Sequence, residues 1–483
     1  MLPLRSIGLA LVLAAPAAGA TWARNGNVVS RPAAGSKVEF EWIAPGSFRF
    51  SRCAGASCVE RRPRPDEVAF TFEESPSGDA AFRTAYLVVT WRSGLVTVNA
   101  ARGGESLLSE LPREGALFRR RSPPDERLYG LGPRDSAPLD LRGQSIAATH
   151  PLLISSAGYA QYFSLPVSTR FHLGTTPPGV VRVDGPGPQL EYFFHYGPSP
   201  KEMLEDHLEI AGPIGPISKT HVTVLPERFL PRYVHRVPEL TAAATIRYLA
   251  HAAMSGILVP AVPPGNLPSV IAELMPITTG LPAPGRAEFL PYLFTYLEEA
   301  RDRAVPMFRP MALQYPKDPA AAAAIDQFMI GDEILVAGSE RTYLPQGIWT
   351  DLSANTNHQG RQFVATKPGD RFAHNGTILP LAENGVIVLH YFPRLGAEFF
   401  ISEPGEEEVT QVHAGPAGDL LRLQIESKVG RDYRWVVHNV SEPLRADPNM
   451  PFHYEPKRRE LSIPMKAAAG SDRIVNVTLR EPL

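Results

Sequence analysis

Residues 235–266 read HRVPELTAAATIRYLAHAAMSGILVPAVPPGN, and what this stretch can build decides the architecture. From Thr241 to Ser255 apolar residues recur at helical spacing, and Gly256 is placed to close the helix. GILVPAV then makes one buried strand that runs into a proline-rich loop. A further helix is expected from Arg286 to Ala304, where EFLPYLFTYLEEARDRA keeps the same period. Only roughly 75 residues separate Gly212 from Arg286, so the mixed α/β part of the chain is short.

On either side the pattern changes from period 3.6 to period 2. Upstream, short alternating runs follow one another between turn signals: VEFEWI from Val38, then FRFSRC, VAFTFEE, AYLVVTW, LVTVNA, YFSLPV, RFHLG, VVRVDG and LEYFFHYG up to about Tyr196. Such runs predict a β-sandwich. Ser199 to Gly212 then predicts a helix, with Ser199 as cap, Pro200 at its first position, Glu202 completing a capping box and Gly212 as terminator. Downstream, QFMIGDEILVAG, ERTYLP, TILPLAENGVIVLHYF, LLRLQI, YRWVVH and RIVNVTL alternate again. Proline supports this reading: 49 in 483 residues is roughly twice the usual share, and proline limits long helices.

Lysine and arginine total 48 against 50 acidic residues, which argues against a nucleic-acid partner. Met1 to Ala20 carries Arg5, an apolar run from Ile7 to Ala15 and a small-residue end at Ala18-Gly19-Ala20. It is expected to be a secretory signal, too short and too broken by Pro16 for a membrane span, so the chain is expected to be secreted or periplasmic. The two cysteines, Cys53 and Cys58, are expected to close a small hairpin as a disulfide in that oxidising setting. Glycine-rich phosphate loops, nucleophile-elbow and HExxH patterns do not occur, and no cofactor or metal is expected.

Several blocks, in order, resemble landmarks of glycoside hydrolase family 31, the α-glucosidase and α-xylosidase family. They are Glu126-Arg127-Leu128-Tyr129-Gly130-Leu131-Gly132 with Leu139-Asp140-Leu141-Arg142-Gly143, then His150-Pro151-Leu152-Leu153-Ile154-Ser155, and Gly197-Pro198-Ser199-Pro200-Lys201-Glu202. Further on come Arg309-Pro310, Asp326-Gln327-Phe328-Met329-Ile330-Gly331-Asp332 and Tyr343-Leu344-Pro345-Gln346-Gly347-Ile348-Trp349. The resemblance implies a mainly β chain. A galactose-mutarotase-like N-terminal β-sandwich is expected over 21–212 and a remnant of a (β/α)8 barrel over 213–312. Proximal and distal C-terminal β-domains are expected over 313–395 and 396–483. It also implies a carbohydrate or glycan ligand, and a full-length relative as a protein partner.

The same resemblance places the family's nucleophile and acid/base aspartates on barrel strands, and a complete barrel takes about 250 residues. Neither motif occurs in this sequence. Where the acid/base would stand the chain has Arg236-Val237-Pro238, and where a substrate-binding Asp would end the next strand it has Val262-Pro263-Pro264. A loop that carries an Asp in the family reads Ala147-Ala148-Thr149-His150. No catalytic residue is therefore assigned, and a carbohydrate-binding or assembly role without hydrolysis is expected. The alternative is a glycosidase with relocated acids drawn from Glu239, Asp326 or Asp332. The first of these is expected in the first turn of the Thr241 helix, and the other two at turns and caps. Eight aromatic residues could stack on sugars, Trp42, Trp91, Tyr159, Tyr162, Trp349, Tyr391, Trp435 and Tyr454, but most are expected in the core.

Overall fold

The computed structural model describes residues 21–483, apart from 34–35, 55–66, 166–168, 176, 188, 212–233, 264–265, 273, 275–276, 279–285, 404–405, 407 and 482. Met1–Ala20, the expected signal, lies outside the described residues, as do Cys58 and Gly212. The chain is mainly β and divides into two units, one of residues 1–110 with 188–191, the other of 111–187 with 192–483.

In the first unit Ala23–Asn25, Val28–Ala33, Ser36–Ala44 and Ser47–Ala54 form an antiparallel run. Thr71–Glu74, Ala80–Arg83, Leu87–Arg92, Leu95–Ala100 and Ser106–Ser109 form a five-stranded meander. Alternation drives this layering. Leu87, Val89 and Trp91 turn inward from one strand and Val96, Val98 and Ala100 from its neighbour. Phe40, Phe82, Trp22 and Trp91 interlock between the sheets, with Phe40 and Phe82 centroids 4.7 Å apart. Arg49, almost fully buried, is neutralised by Glu41 at 2.6 Å, Glu191 at 3.0 Å and Glu39. Cys53 lies buried in Ser47–Ala54.

The second unit opens with antiparallel strands Leu128–Gly130, Leu152–Ser155, Tyr159–Phe163 and Leu190–Tyr196 and a four-stranded sheet ordered Phe118–Arg121, Val180–Asp184, Arg170–Leu173 and Ser145–Ala147. Helix α1, Pro200–Ala211, follows. Its capping box forms as the sequence predicts: Ser199 Oγ accepts from the Glu202 N–H at 3.5 Å, and Glu202 accepts from the Ser199 N–H at 3.2 Å.

The middle segment has strand Val234–Arg236, helix α2 (Ala242–Ala253), strand Val259–Val262, a helical turn at Ser269–Ala272 and strand Ile277–Thr278, with the three strands parallel. Parallel pairing needs a crossover between strands, and α2 supplies the first. Helix α3, Arg286–Arg303, closes the segment. A six-stranded sheet that includes Phe308–Pro310, Gln327–Ile330, Ile334–Ala337 and Arg371–His374 comes next. Two five-stranded sheets finish the chain, one carrying Thr377–Glu383, Val386–Phe392, Arg431–Val437 and Glu460–Ala467. The other is ordered Ala397–Ile401, Thr410–Ala417, Leu420–Ser427, Ser471–Leu479 and Pro443–Asp447. Their inward residues, among them Tyr391, Trp435, Ile463, Leu423 and Val477, join the α2 and α3 apolar faces in one core.

Six of the eight candidate stacking aromatics are buried, and Tyr162 and Tyr454 are partly buried. The aromatic content of this chain therefore serves packing first.

Candidate functional site

In parallel β/α arrangements ligands meet the C-terminal ends of the strands. Here the first strand ends at Arg236, which is exposed, followed by Val237, which is 3% exposed. Pro238 comes next, and its carbonyl accepts a hydrogen bond from Asn266 Nδ2 at 2.6 Å. The second strand ends at the fully buried Val262 and then Pro263. Valine and proline hold no proton to give or take, so Val237, Pro238, Val262 and Pro263 themselves offer shape without acid/base chemistry.

Glu239 is exposed and lies two residues ahead of the α2 cap, since Thr241 is the cap and its hydroxyl accepts from the Ala244 N–H at 3.4 Å. The expectation that Glu239 sits in the first helical turn is corrected by that start, and the first turn of α2 carries no acidic residue. Asp326 is exposed at the end of Gln327–Ile330 away from Asp332, which occupies the turn at the other end. The three suggested carboxylates thus stand on different elements, and nothing brings them together.

α2 is held by the 131–139 loop. Arg247 Nη1 donates to Asp135 O at 3.0 Å, and the His251 Nε2–H lies 3.2 Å from Ala137 O. Ser255 Oγ accepts from the Gly132 N–H at 2.9 Å and donates to His251 O at 2.7 Å. Burial pushes the His251 imidazole down to about 4, so it stays neutral, with the Nε2 proton serving the carbonyl. Gly130 and Gly132 both sit at φ +99°, and a methyl group on Gly130 would meet Leu152 O at 2.2 Å. The glycine-rich block is thereby a packing device.

A cluster of strongly perturbed titratable groups lies below α3. Arg309 is fully buried; it donates to Asp332 Oδ1 at 2.5 Å and to Pro306 O at 2.9 Å, and it pairs with Glu299 on α3. Asp332 also accepts from Lys201 of α1 and Gln314, both at 2.6 Å. Burial alone would raise the Asp332 carboxyl, but the Arg309 and then the Lys201 charge hold it well below the usual carboxylate range. Its neighbour Glu333 faces the other way and accepts from Tyr292 at 2.9 Å and Tyr296 at 2.5 Å. Burial, and next the Asp332 charge, push Glu333 up to about 7.

Two adjacent carboxyls driven apart in this way resemble the division between an acid and a base. Geometry decides against that use. A retaining glycosidase turns two carboxyls about 5–5.5 Å apart towards one sugar, whereas Asp332 is held by Arg309, Lys201 and Gln314 and Glu333 faces the other way. Two phenols seal Glu333, which is 9% exposed. The cluster ties α1, α3 and the 327–337 hairpin into one joint. Sequence reasoning weighed Asp332 alone of these as an acid, met Arg309 and Lys201 only within blocks of the resemblance, and gave Glu333 and Glu299 no role; the Asp332-Glu333 adjacency at a turn was the one hint. Among the described residues no group of three His, Cys, Asp or Glu is arranged to hold a metal ion.

Residues 304–388 match the glycosyl hydrolase family 31 C-terminal domain. The isomaltosyltransferase of Sporosarcina globispora is 34% identical over 110 residues, 20% of this chain and 10% of that protein. Human neutral alpha-glucosidase AB is 33% identical over 108 residues, 20% of this chain and 11% of that protein. The match thus spans about a tenth of the length of these curated relatives. Among solved structures, the family 31 dextranase of Flavobacterium johnsoniae, complexed with isomaltotriose, superposes with a TM-score of 0.77 at 13% identity, covering 95% of this chain and 99% of that one. The cycloalternan-forming enzyme of Listeria monocytogenes, in complex with a pentasaccharide substrate, gives 0.80 at 12% identity, covering 95% and 76%.

Proposed function

We propose that this chain, a member of glycoside hydrolase family 31 by its C-terminal domain and its fold, is a secreted or periplasmic carbohydrate-binding or assembly protein that does not hydrolyse glycosides. The observation that carries the reading is the chemistry at the ends of the parallel strands, Arg236-Val237-Pro238 and Val262-Pro263, where among the described residues no carboxylate pair faces a common space. The ligand class follows from the relatives, since the dextranase is complexed with isomaltotriose and the cycloalternan-forming enzyme with a pentasaccharide. A full-length family 31 enzyme is the expected partner in the assembly role. Export rests on Met1–Ala20, and a Cys53–Cys58 bridge would follow from it.

The test sets hydrolysis of aryl α-glucosides and α-xylosides beside glycan-array binding on one preparation. Binding without turnover is expected. Turnover abolished by one carboxylate substitution would establish the alternative, an active hydrolase with relocated acids. Glu239→Gln, Asp326→Asn and Asp332→Asn are the substitutions to assay for it. Peptide mapping of the exported protein, with an N-terminus at Thr21 and a mass two protons short at Cys53 and Cys58, checks the export reading.

A further inference from the structure

The outer face of the last sheet carries a groove that the buried cluster does not use. The groove, of about 360 Å³, is shallow and is lined by Glu398, His413, Arg422 and Pro416 with Gly396 and Gly415 at its floor. That volume is within the roughly 300–1,000 Å³ typical of small-molecule sites. Its polar side chains stand on three neighbouring strands in a fixed register. Glu398 lies opposite His413, His413 opposite Gln424, and Gly415 opposite Arg422.

A ladder of hydrogen bonds runs along the strand of Arg422 and on to its neighbour. Arg422 Nη2 donates to Gln424 Oε1 at 3.1 Å, and Gln424 Nε2 donates to Glu426 at 3.0 Å and to Asp472 at 3.3 Å. His413 sits between Glu398 at 3.8 Å and Glu426 at 3.9 Å, too far for a hydrogen bond. The ladder thus orients Arg422, while the carboxylate of Glu398 and the ring of His413 keep hydrogen-bonding capacity for a ligand. Phe400, 44% exposed and two residues along the same strand from Glu398, lies opposite Gln411 on the same side of the groove as His413.

We propose that this groove binds a short uncharged oligosaccharide. The charge pattern selects the class. An anion would meet Glu398 and Glu426, a cation would meet Arg422, and a neutral polyhydroxyl chain can use carboxylate, imidazole, amide and guanidinium together. Gly415 is part of the fit, because a Cβ there would lie 2.6 Å from Gly396 Cα. Gly396 itself looks into open space, with nothing within 4 Å of a Cβ. A bulky residue at 396 would therefore fill the groove without disturbing the sheet.

This inference rests on the carbohydrate-binding reading and gives it a location. Isothermal titration of the full chain with isomaltotriose, maltotriose and xylotriose tests it. Gly396→Trp is expected to abolish binding at unchanged thermal unfolding, and Arg422→Ala and Glu398→Gln each to weaken it about tenfold. Wild-type binding that all three variants retain would overturn the groove and leave the carbohydrate-binding reading standing. A wild-type chain that binds none of the three sugars would overturn both.

Discussion

Glu333 shows how much a single position can cost. Its folded-state value of about 7 lies above the ordinary 4.5 of an exposed glutamate, so the folded protein holds a proton there that the unfolded chain releases. The sign follows: the contribution is fully present below pH 4.5 and is lost as pH rises through 7. Glu333→Gln keeps an acceptor for Tyr292 and Tyr296 and removes the titration. The variant's stability advantage is expected to be near zero at pH 4.5 and on the order of 3 kcal/mol by pH 8, read from urea midpoints at each pH. Arg309→Met is expected to cost about 3 kcal/mol in the same assay, because Glu299 and Asp332 would lose the buried cation between them. Sequence order could suggest that Arg309 and Asp332 matter, since both lie in recognisable blocks. It could not show that Lys201, 131 residues away from Asp332, reaches the same carboxylate.

At the scale of elements, local rules explain the boundaries well. The α1 capping box, the Thr241 cap of α2 and the left-handed Gly256 at φ +76° all follow from residue types at fixed offsets. Thr241→Ala is expected to lower the unfolding free energy by about 1 kcal/mol. A pair of glycines separates backbone conformation from crowding. Gly385 at φ +83° has nothing within 4 Å of a Cβ, so Gly385→Ala meets only the backbone penalty of about 1 kcal/mol. Gly130→Ala adds a collision with Leu152 O and is expected to cost several times that, roughly 3 kcal/mol by chemical denaturation. Position alone misplaced Glu239, since a negative charge near a helix start was assigned to its first turn although Thr241 delays the start.

Across the whole molecule, acid lability is set by histidines buried without charge. Burial pushes His207 and His251 down to about 4; for His390, burial and then the charge of His438 give about 3. These values lie below the ordinary 6.5, so stability is intact above pH 6.5 and is lost as pH falls towards 4, when the unfolded chain takes up protons first. Three such groups outweigh the opposite slope of Glu333 between pH 4.5 and 6.5. A thermal midpoint that falls steeply below pH 6, and less steeply in His207→Gln or His251→Gln, is the expected profile by scanning calorimetry. All three histidines belong to the second unit, so its transition is the one that should move.

The sequence by itself determined that this chain is mainly β, that its α/β middle is short, and that helices follow Ser199 and Thr241. Those properties are written in period, caps and chain length, which act over a few residues or by simple reach. Only the tertiary structure decided which charges are buried and which carboxylates share a neighbour. It also decided which polar residues line one groove, as with Glu398, His413 and Arg422 from three strands. The physical reason is that electrostatic and packing energies depend on distance in space, and strand pairing brings together residues that the linear chain keeps apart.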